Sequence, residues 1–172
     1  LYGPPGTGKT MLAKAFHSIL PSPQNEHFLE VATIYSSVGL VEDAMKNPVP
    51  LRSPHHSASH VAIIGGGQGQ IRPGDITLAH RGVLYMDEFP EFDRRVLEAL
   101  REPLEDGAIT VARAKGSVRF PAEFILLGAM NPCPCGYRGS GIKPCTCSGV
   151  ELARYNKKLS GPIIDRIDLW VP

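Results

Sequence analysis

Gly3-Pro4-Pro5-Gly6-Thr7-Gly8-Lys9-Thr10 is the stretch on which the reading of this chain turns. It fits the phosphate-loop pattern G-x-x-x-x-G-K-[ST] at every required position. Glycines let successive backbone N–H groups curl around phosphate oxygens, and the helix that follows presents its positive N-terminal end to the same anion. Lys9 is predicted to reach the β- and γ-phosphates, and the Thr10 hydroxyl to bind Mg²⁺. Gly3, Pro4, Pro5, Gly6, Thr7 and Gly8 form the cradle. The alternative is a plain Gly-Pro turn before a helix; the full match favours the phosphate loop.

Outward from this loop, Met11, Leu12, Ala15, Phe16 and Ile19 recur at helical spacing, predicting a helix from about Gly8 to Leu20 that Pro21 stops. Ser22-Pro23 reads as an N-cap with proline in the first turn. A second helix is expected to run from there to near Gly39, with Phe28, Val31, Ala32 and Tyr35 on one face. Val49 to Arg52 is a candidate short strand. Residues 53–80, with Gly65-Gly66-Gly67, Gly69 and Gly74, read as an insertion of loops and short strands. Gly82 to Met86 is a compact apolar run suited to a buried parallel strand. Asp93 to Arg101 reads as a helix limited by Pro103. A hairpin spans about 108–120, its strands Ile109–Ala112 and Ser117–Phe120 flanking Ala114-Lys115-Gly116. Phe124 to Met130 is a further buried strand, Glu151 to Leu159 a helix stopped by Gly161-Pro162, and Ile167 to Val171 a last strand. Strands alternating with helices predict an α/β fold.

Composition limits the alternatives. The 172 residues suit one domain, and 42% hydrophobic content argues for a packed core rather than disorder. Eighteen Lys and Arg against seventeen Asp and Glu leave a net charge of +1, which excludes a wholly basic nucleic-acid coat and an acidic tail. No window approaches the 18 apolar residues of a membrane span. The chain opens on Leu1 without a signal peptide, and the phosphate loop follows at once, so a soluble intracellular piece cut at a strand is expected.

Two further segments carry chemistry. Gly82-Val83-Leu84-Tyr85-Met86-Asp87-Glu88 would deliver two acids to the C-terminal edge of a strand, where ligands sit in open α/β sheets. Asp87 is predicted to hold the Mg²⁺ shell and Glu88 to polarise the attacking water. Asn131, at the tip of the strand Phe124–Met130, is placed to orient that water or touch the γ-phosphate; an Asn opening a turn before Pro132 is the alternative. No Asn-Lys-x-Asp base-reading motif occurs, since Asn156-Lys157-Lys158-Leu159 lacks the acid, so ATP is preferred to GTP.

These three signals together resemble the AAA+ ATPases. The blocks Arg52-Ser53-Pro54-His55-His56-Ser57, Pro73–His80, Leu100–Gly107, Met130-Asn131-Pro132-Cys133-Pro134-Cys135-Gly136 and Asp165-Arg166-Ile167-Asp168 narrow the resemblance to magnesium-chelatase-like ATPases of the ComM/YifB type, over essentially the whole chain. The resemblance implies a three-layer P-loop core of the AAA+ large-subdomain kind, with a mostly parallel sheet, an inserted loop region and a hairpin before the sensor strand. It also implies a bacterial, cytoplasmic protein forming a homo-oligomeric, hexameric ring, with a Lon-like domain before this module and a helical lid after it. Members include a helicase that drives branch migration during natural transformation. Arg166 falls where this clade carries an arginine finger that reaches a neighbouring subunit's nucleotide. Pairing of Arg166 with Asp165 or Asp168 is the bland alternative.

Cys133, Cys135, Cys145 and Cys147 are all the cysteines of the chain, in two Cys-x-Cys units across a Gly-rich loop at 133–147. Four thiolates would suit structural, tetrahedral Zn²⁺; disulfides and free thiols are the alternatives. His55, His56 and His60 read by default as solvated or hydrogen-bonded side chains, with a metal site as the sharper option. Charge is uneven: segment 87–106 holds eight acids against three arginines, whereas 107–122 holds Arg113, Lys115 and Arg119 and no acid. In related motors the hairpin points into the ring pore, which implies that these three cations hold DNA phosphates without reading sequence. A solvated hairpin is the alternative, and no aromatic stack accompanies it. Two rival functions are compatible with the same residues: a chelatase-type remodelling subunit that serves metal insertion, and a scaffold that binds nucleotide without hydrolysing it.

Overall fold

The computed structural model describes residues 1–67, 70–113, 116–159 and 161–172. Its centre is a parallel sheet of three strands, β1 (Leu51–Arg52), β4 (Val83–Met86) and β7 (Ile125–Gly128), in the order β1-β4-β7. Val83 pairs with Leu51 on one side and with Ile125 on the other, so β4 is the middle strand. All four of its residues are buried, as its uninterrupted apolar run requires. Residues 1–3 extend the sheet beyond β7. The Met130 amide donates to Leu1 O at 2.9 Å, the Gly3 amide to Met130 O at 3.2 Å, and Tyr2 bridges Met130 in parallel. The start of the phosphate loop thereby lies beside the strand that ends in Asn131.

Alternation along β4 sorts the core into two faces. Leu84 and Met86 join Ile63, Ile76, Phe89, Val96, Leu100, Ile109 and Ile163 in the larger cluster. Tyr85 points the other way, against Ala13 of α1 (Lys9–Ser18) and Ala129. With helices on both faces of a parallel sheet, the chain has a mixed α/β architecture compatible with a P-loop NTPase-like core.

Several elements differ from their sequence expectation. The second helix, α2 (Asn25–Ser37), begins after Gln24 rather than at Ser22-Pro23, and no side chain caps it. It packs with α3 (Val41–Lys46) around Val31, Tyr35 and Ala44. The insertion holds two short helices, α4 (His60–Ile64) and α5 (Asp75–Leu78), besides the small hairpin of β2 (Gly65–Gly66) and β3 (Arg72–Pro73). Ser59 caps α4 by accepting from the Ala62 amide, and Ile63, Ile64 and Ile76 enter the main core. This segment is therefore a structural part of the domain, not a peripheral loop.

Past β4 and a 3₁₀ turn at Phe89–Glu91, the predicted single helix is two: α6 (Arg94–Ala99), capped by Asp93, and α7 (Arg101–Asp106). Pro103 does not end a helix; it occupies the first turn of α7, where its missing N–H removes no intrahelical bond. The hairpin forms over β5 (Ala108–Arg113) and β6 (Gly116–Pro121), registered Ile109 against Phe120 and Thr110 against Arg119. Lys115 lies outside the described residues. Near the C-terminus, α8 (Gly149–Asn156) starts in a reciprocal capping box between Ser148 and Glu151, and Gly161-Pro162 opens a short helix, α9 (Gly161–Ile164), instead of acting only as a stop.

The expected last strand at Ile167–Val171 is not formed. The Tyr2 amide donates to Val171 O at 2.8 Å, but one bond is no ladder, and a cavity of about 710 Å³ opens between this segment, α1 and β7. No described helix is long and apolar enough to cross a membrane.

Candidate functional site

The phosphate loop folds back on its own lysine. Gly6 and Gly8 adopt left-handed φ values of 80° and 83°, which let the chain turn tightly into α1. The Lys9 ammonium donates to Gly3 O at 2.8 Å and to Pro4 O at 2.9 Å, and Thr7 Oγ1 donates to Pro4 O at 3.0 Å. A third Lys9 bond, of 3.1 Å, reaches Asn131 Oδ1 across 122 residues of sequence. Burial lowers the Lys9 pKa, while the nearby Asp87 carboxylate opposes the shift. A partly desolvated ammonium held among carbonyl oxygens is well placed to exchange them for a stronger anionic partner.

Thr10 and Asp87 meet as well. The Thr10 hydroxyl donates to Asp87 Oδ2 at 2.9 Å, joining residues 77 apart in sequence, and accepts from Tyr85 OH at 3.1 Å. Burial pushes the Tyr85 phenol up to about 12, so it remains a donor throughout the accessible pH range. The hydroxyl–carboxylate pair at a strand end is a donor set of hard oxygens, the chemistry a Mg²⁺ ion selects. Tyr85 escaped sequence reasoning because it reads as one more apolar residue of a buried strand; an aromatic hydroxyl among aliphatics was the available signal.

Glu88 follows Asp87 in the left-handed region, with φ 51°, uncommon for a residue with a side chain. Its amide donates to Asp87 Oδ1 at 2.9 Å, and its carboxylate lies 2.9 Å from His56 Nδ1. His56 stacks on His55 with ring centroids 4.1 Å apart and meets Phe92 edge-on. Glu88 is exposed. Among the described residues His55, His56 and His60 form no metal-ligating cluster. His56 is instead an acid-pairing residue, a role that loop composition does not disclose.

Asn131 is held at both ends. Its side-chain oxygen accepts from Lys9, and its backbone carbonyl accepts from Tyr155 OH of α8 at 2.9 Å. Beyond it the four cysteines converge: none is disulfide-bonded, and their sulfur atoms all lie within 4.8 Å of one another. Lys9, Thr10, Asp87 and Asn131 thus come together at the C-terminal ends of β4 and β7, with Glu88 at the rim.

Arg166 lies elsewhere. It lines the cavity that runs along β7 from Glu123 and Phe124 to Met130, and it pairs with Glu105 of α7. Neither Asp165 nor Asp168 is its partner, in contrast to the local pairing considered from sequence. Both members of the pair are more than a third exposed, which leaves the guanidinium free to exchange partners at little energetic loss. Arg119 is exposed on β6, and the backbone of Arg113 ends β5 opposite Gly116. Arg52 bonds Asp75 through Nε at 2.8 Å, tying β1 to the insertion.

Sequence comparison supplies relatives for this arrangement. The YifB protein of Escherichia coli (strain K12) is 50% identical over 172 residues, which cover 98% of this chain and 33% of that protein. Competence protein ComM of Haemophilus influenzae is 46% identical over 174 residues, with 98% and 33% covered. A more distant relative, the magnesium-chelatase 67 kDa subunit of Chlorobaculum parvum, is 31% identical over 127 residues, covering 74% of this chain and 18% of the subunit. The chain spans about a third of the length of the first two. The family model described as magnesium chelatase, subunit ChlI, matches residues 1–172, so the phosphate loop, both strand tips and the cysteine loop all fall within one family pattern, and this chain belongs to that family.

Proposed function

We propose that this chain is the Mg²⁺-dependent, ATP-hydrolysing module of a ring-shaped AAA+ motor that acts on DNA. The observation that carries the reading is the closure of Lys9 onto Asn131 and of Thr10 onto Asp87 at one edge of a parallel sheet. In this reading residues 3–8 wrap the phosphates, Lys9 binds the β- and γ-oxygens, and Thr10 and Asp87 hold Mg²⁺. Mg²⁺ held by Thr10 and Asp87 would neutralise charge that develops during transfer. Glu88 accepts the proton of the attacking water, and Asn131 orients that water or senses the γ-phosphate.

Arg166 acts in trans: it leaves Glu105 and neutralises charge at a neighbouring subunit's γ-phosphate in a homo-oligomeric, hexameric ring. Arg113, Lys115 and Arg119 line the pore and hold DNA phosphates without sequence preference. A bacterial cytoplasmic setting and a branch-migration role in natural transformation follow from the same reading, which the competence protein among the relatives supports.

The chelatase subunit among the relatives supports a second reading, a remodelling ATPase that serves metal insertion. Steady-state ATPase of the full-length protein, with and without single-stranded and branched DNA, separates the two. Stimulation by DNA is the expected result. Stimulation only by a protein partner would establish the second reading, and nucleotide binding with no turnover under any condition would make the chain a scaffold.

A further inference from the structure

Four thiols sit directly beyond the Asn131 tip, with their sulfur atoms all within 4.8 Å of one another. Cys133 Sγ lies 3.3 Å from Cys135 Sγ and 3.7 Å from Cys145 Sγ, and Cys135 Sγ lies 3.6 Å from Cys145 Sγ. The fourth sulfur, of Cys147, accepts from the Cys135 amide at 3.3 Å. Zinc–thiolate bonds of about 2.3 Å give a tetrahedron whose edges are about 3.8 Å. The observed sulfur separations approach that edge, and no pair is disulfide-bonded. Cys133 is fully buried, so an uncoordinated thiolate there would be unfavourable.

Charge around the cluster points the same way. From Asn131 to Val150 the chain carries Arg138 and Lys143 and no acidic residue. Four thiolates and one Zn²⁺ sum to two negative charges, which those two cations offset. Four protein ligands also close the coordination sphere, as structural rather than catalytic zinc requires.

We propose that Cys133, Cys135, Cys145 and Cys147 bind one structural Zn²⁺, and that this metal clasps the Asn131 tip against the phosphate loop. The second half rests on the nucleotide reading above; the first does not. Coupling runs through two contacts. Asn131, bonded to Lys9, is joined to Cys133 through a single residue, Pro132, whose ring restricts the link. On the other side Gly136, in the left-handed region at φ 86°, comes so near the phosphate loop that an added Cβ would stand 2.6 Å from Pro5 Cδ. Only glycine permits that approach. The loop from residue 131 to residue 148 has neither helix nor strand to hold its shape, and metal binding supplies a hold by linking residues 133 and 147.

The test uses the full-length protein, produced with zinc in the medium and purified without chelator. Metal analysis by plasma mass spectrometry is expected to find about one zinc per chain, and Cys145→Ser with Cys147→Ser to remove it. Absence of bound zinc after anaerobic titration with zinc chloride alone, with all four thiols reacting freely, would overturn the site. Native protein stripped by chelator under reducing conditions then reports the coupling without any substitution. A fluorescent ATP analogue should bind it about tenfold more weakly, and readdition of zinc should restore the affinity. Equal affinity in loaded and stripped protein would refute the clasp. Failure of the zinc-loaded protein to bind the analogue at all would defeat the nucleotide reading and the clasp together, leaving the zinc count as a separate result.

Discussion

His56 Nδ1 stands 2.9 Å from the Glu88 carboxylate, joining the loop after β1 to the second residue after β4. The contact fixes a side chain whose backbone already occupies the left-handed region. It also makes one substitution informative. In Glu88→Gln the amide oxygen can still accept from His56, so the local structure is kept while the proton acceptor is lost. Turnover of ATP is expected to fall about 10²- to 10⁴-fold with nucleotide binding retained. Unchanged turnover in this variant would remove Glu88 from the chemistry.

Lys9→Ala tests the loop itself. The ammonium has three oxygen partners in the structure, from Gly3, Pro4 and Asn131, and exchanging them for phosphate oxygens would contribute charge-assisted bonds. Loss of one such bond set is expected to weaken ATP binding by about ten- to a hundredfold, measured by calorimetric titration. Equal affinity in the variant would mean that the loop does not hold the triphosphate.

Tyr85→Phe isolates the hydrogen bond that orients Thr10. The ring remains packed against Ala13 and Ala129, and only the hydroxyl 3.1 Å from Thr10 Oγ1 is removed. Stability should fall by about 0.5–1.5 kcal/mol in denaturant unfolding, and the Mg²⁺ dependence of ATP binding should move to higher concentration. A variant with native stability and native Mg²⁺ dependence would show that the hydroxyl is idle.

Much of this site was legible along the chain, because its members are adjacent in sequence to strong local patterns. The phosphate loop is contiguous, and Asp87 and Glu88 directly follow a compact apolar run suited to a buried strand. What escaped is of two kinds. Helices as short as α4 and α5 have too few turns to display a period, and the glycines beside them favoured a loop reading. The split between α6 and α7 was hidden because proline is as acceptable in a first turn as it is disruptive later. Partnerships such as Tyr155 with Asn131, or Arg166 with Glu105, are chosen by the folded chain, where charge and spacing alone offer many equivalent partners. Ile167–Val171 has the composition of a strand but only one backbone bond to a neighbour, and composition does not count ladders.

A buried histidine contributes to the loss of stability in acid. His80 is 1% exposed; its Nδ1 accepts from the Glu123 amide at 3.1 Å, which leaves the ring proton on Nε2, 3.2 Å from Glu30. Burial depresses its pKa, with the Glu30 bond opposing. The unfolded chain therefore takes up a proton at this site first, as pH falls through about 6.5, and the folded chain only at lower pH. Stability at His80 is fully present above that value and declines below it. Thermal unfolding at pH 7.5 and 5.5 should show this loss, and His80→Gln should flatten it. A slope unchanged by the substitution would assign the acid sensitivity to other groups.

Arg166→Ala separates a structural from a catalytic role. Its ion pair with Glu105 is exposed, so the stability change should be under about 1 kcal/mol. Turnover by the assembled ring is expected to drop about 10³-fold or more, with binding of ATP intact. Mixing this variant with Lys9→Ala subunits should restore part of the activity, since each supplies what the other lacks. Full turnover by Arg166→Ala alone would refute action in trans.

The most direct measurement is a density map of the full-length protein with Mg²⁺ and a slowly hydrolysed ATP analogue. The expected arrangement has Lys9 Nζ against the β- and γ-phosphates, the metal between Thr10 and Asp87, and Asn131 facing the terminal phosphate. A triphosphate seated away from residues 3–10, or a metal that neither Thr10 nor Asp87 approaches, would contradict it.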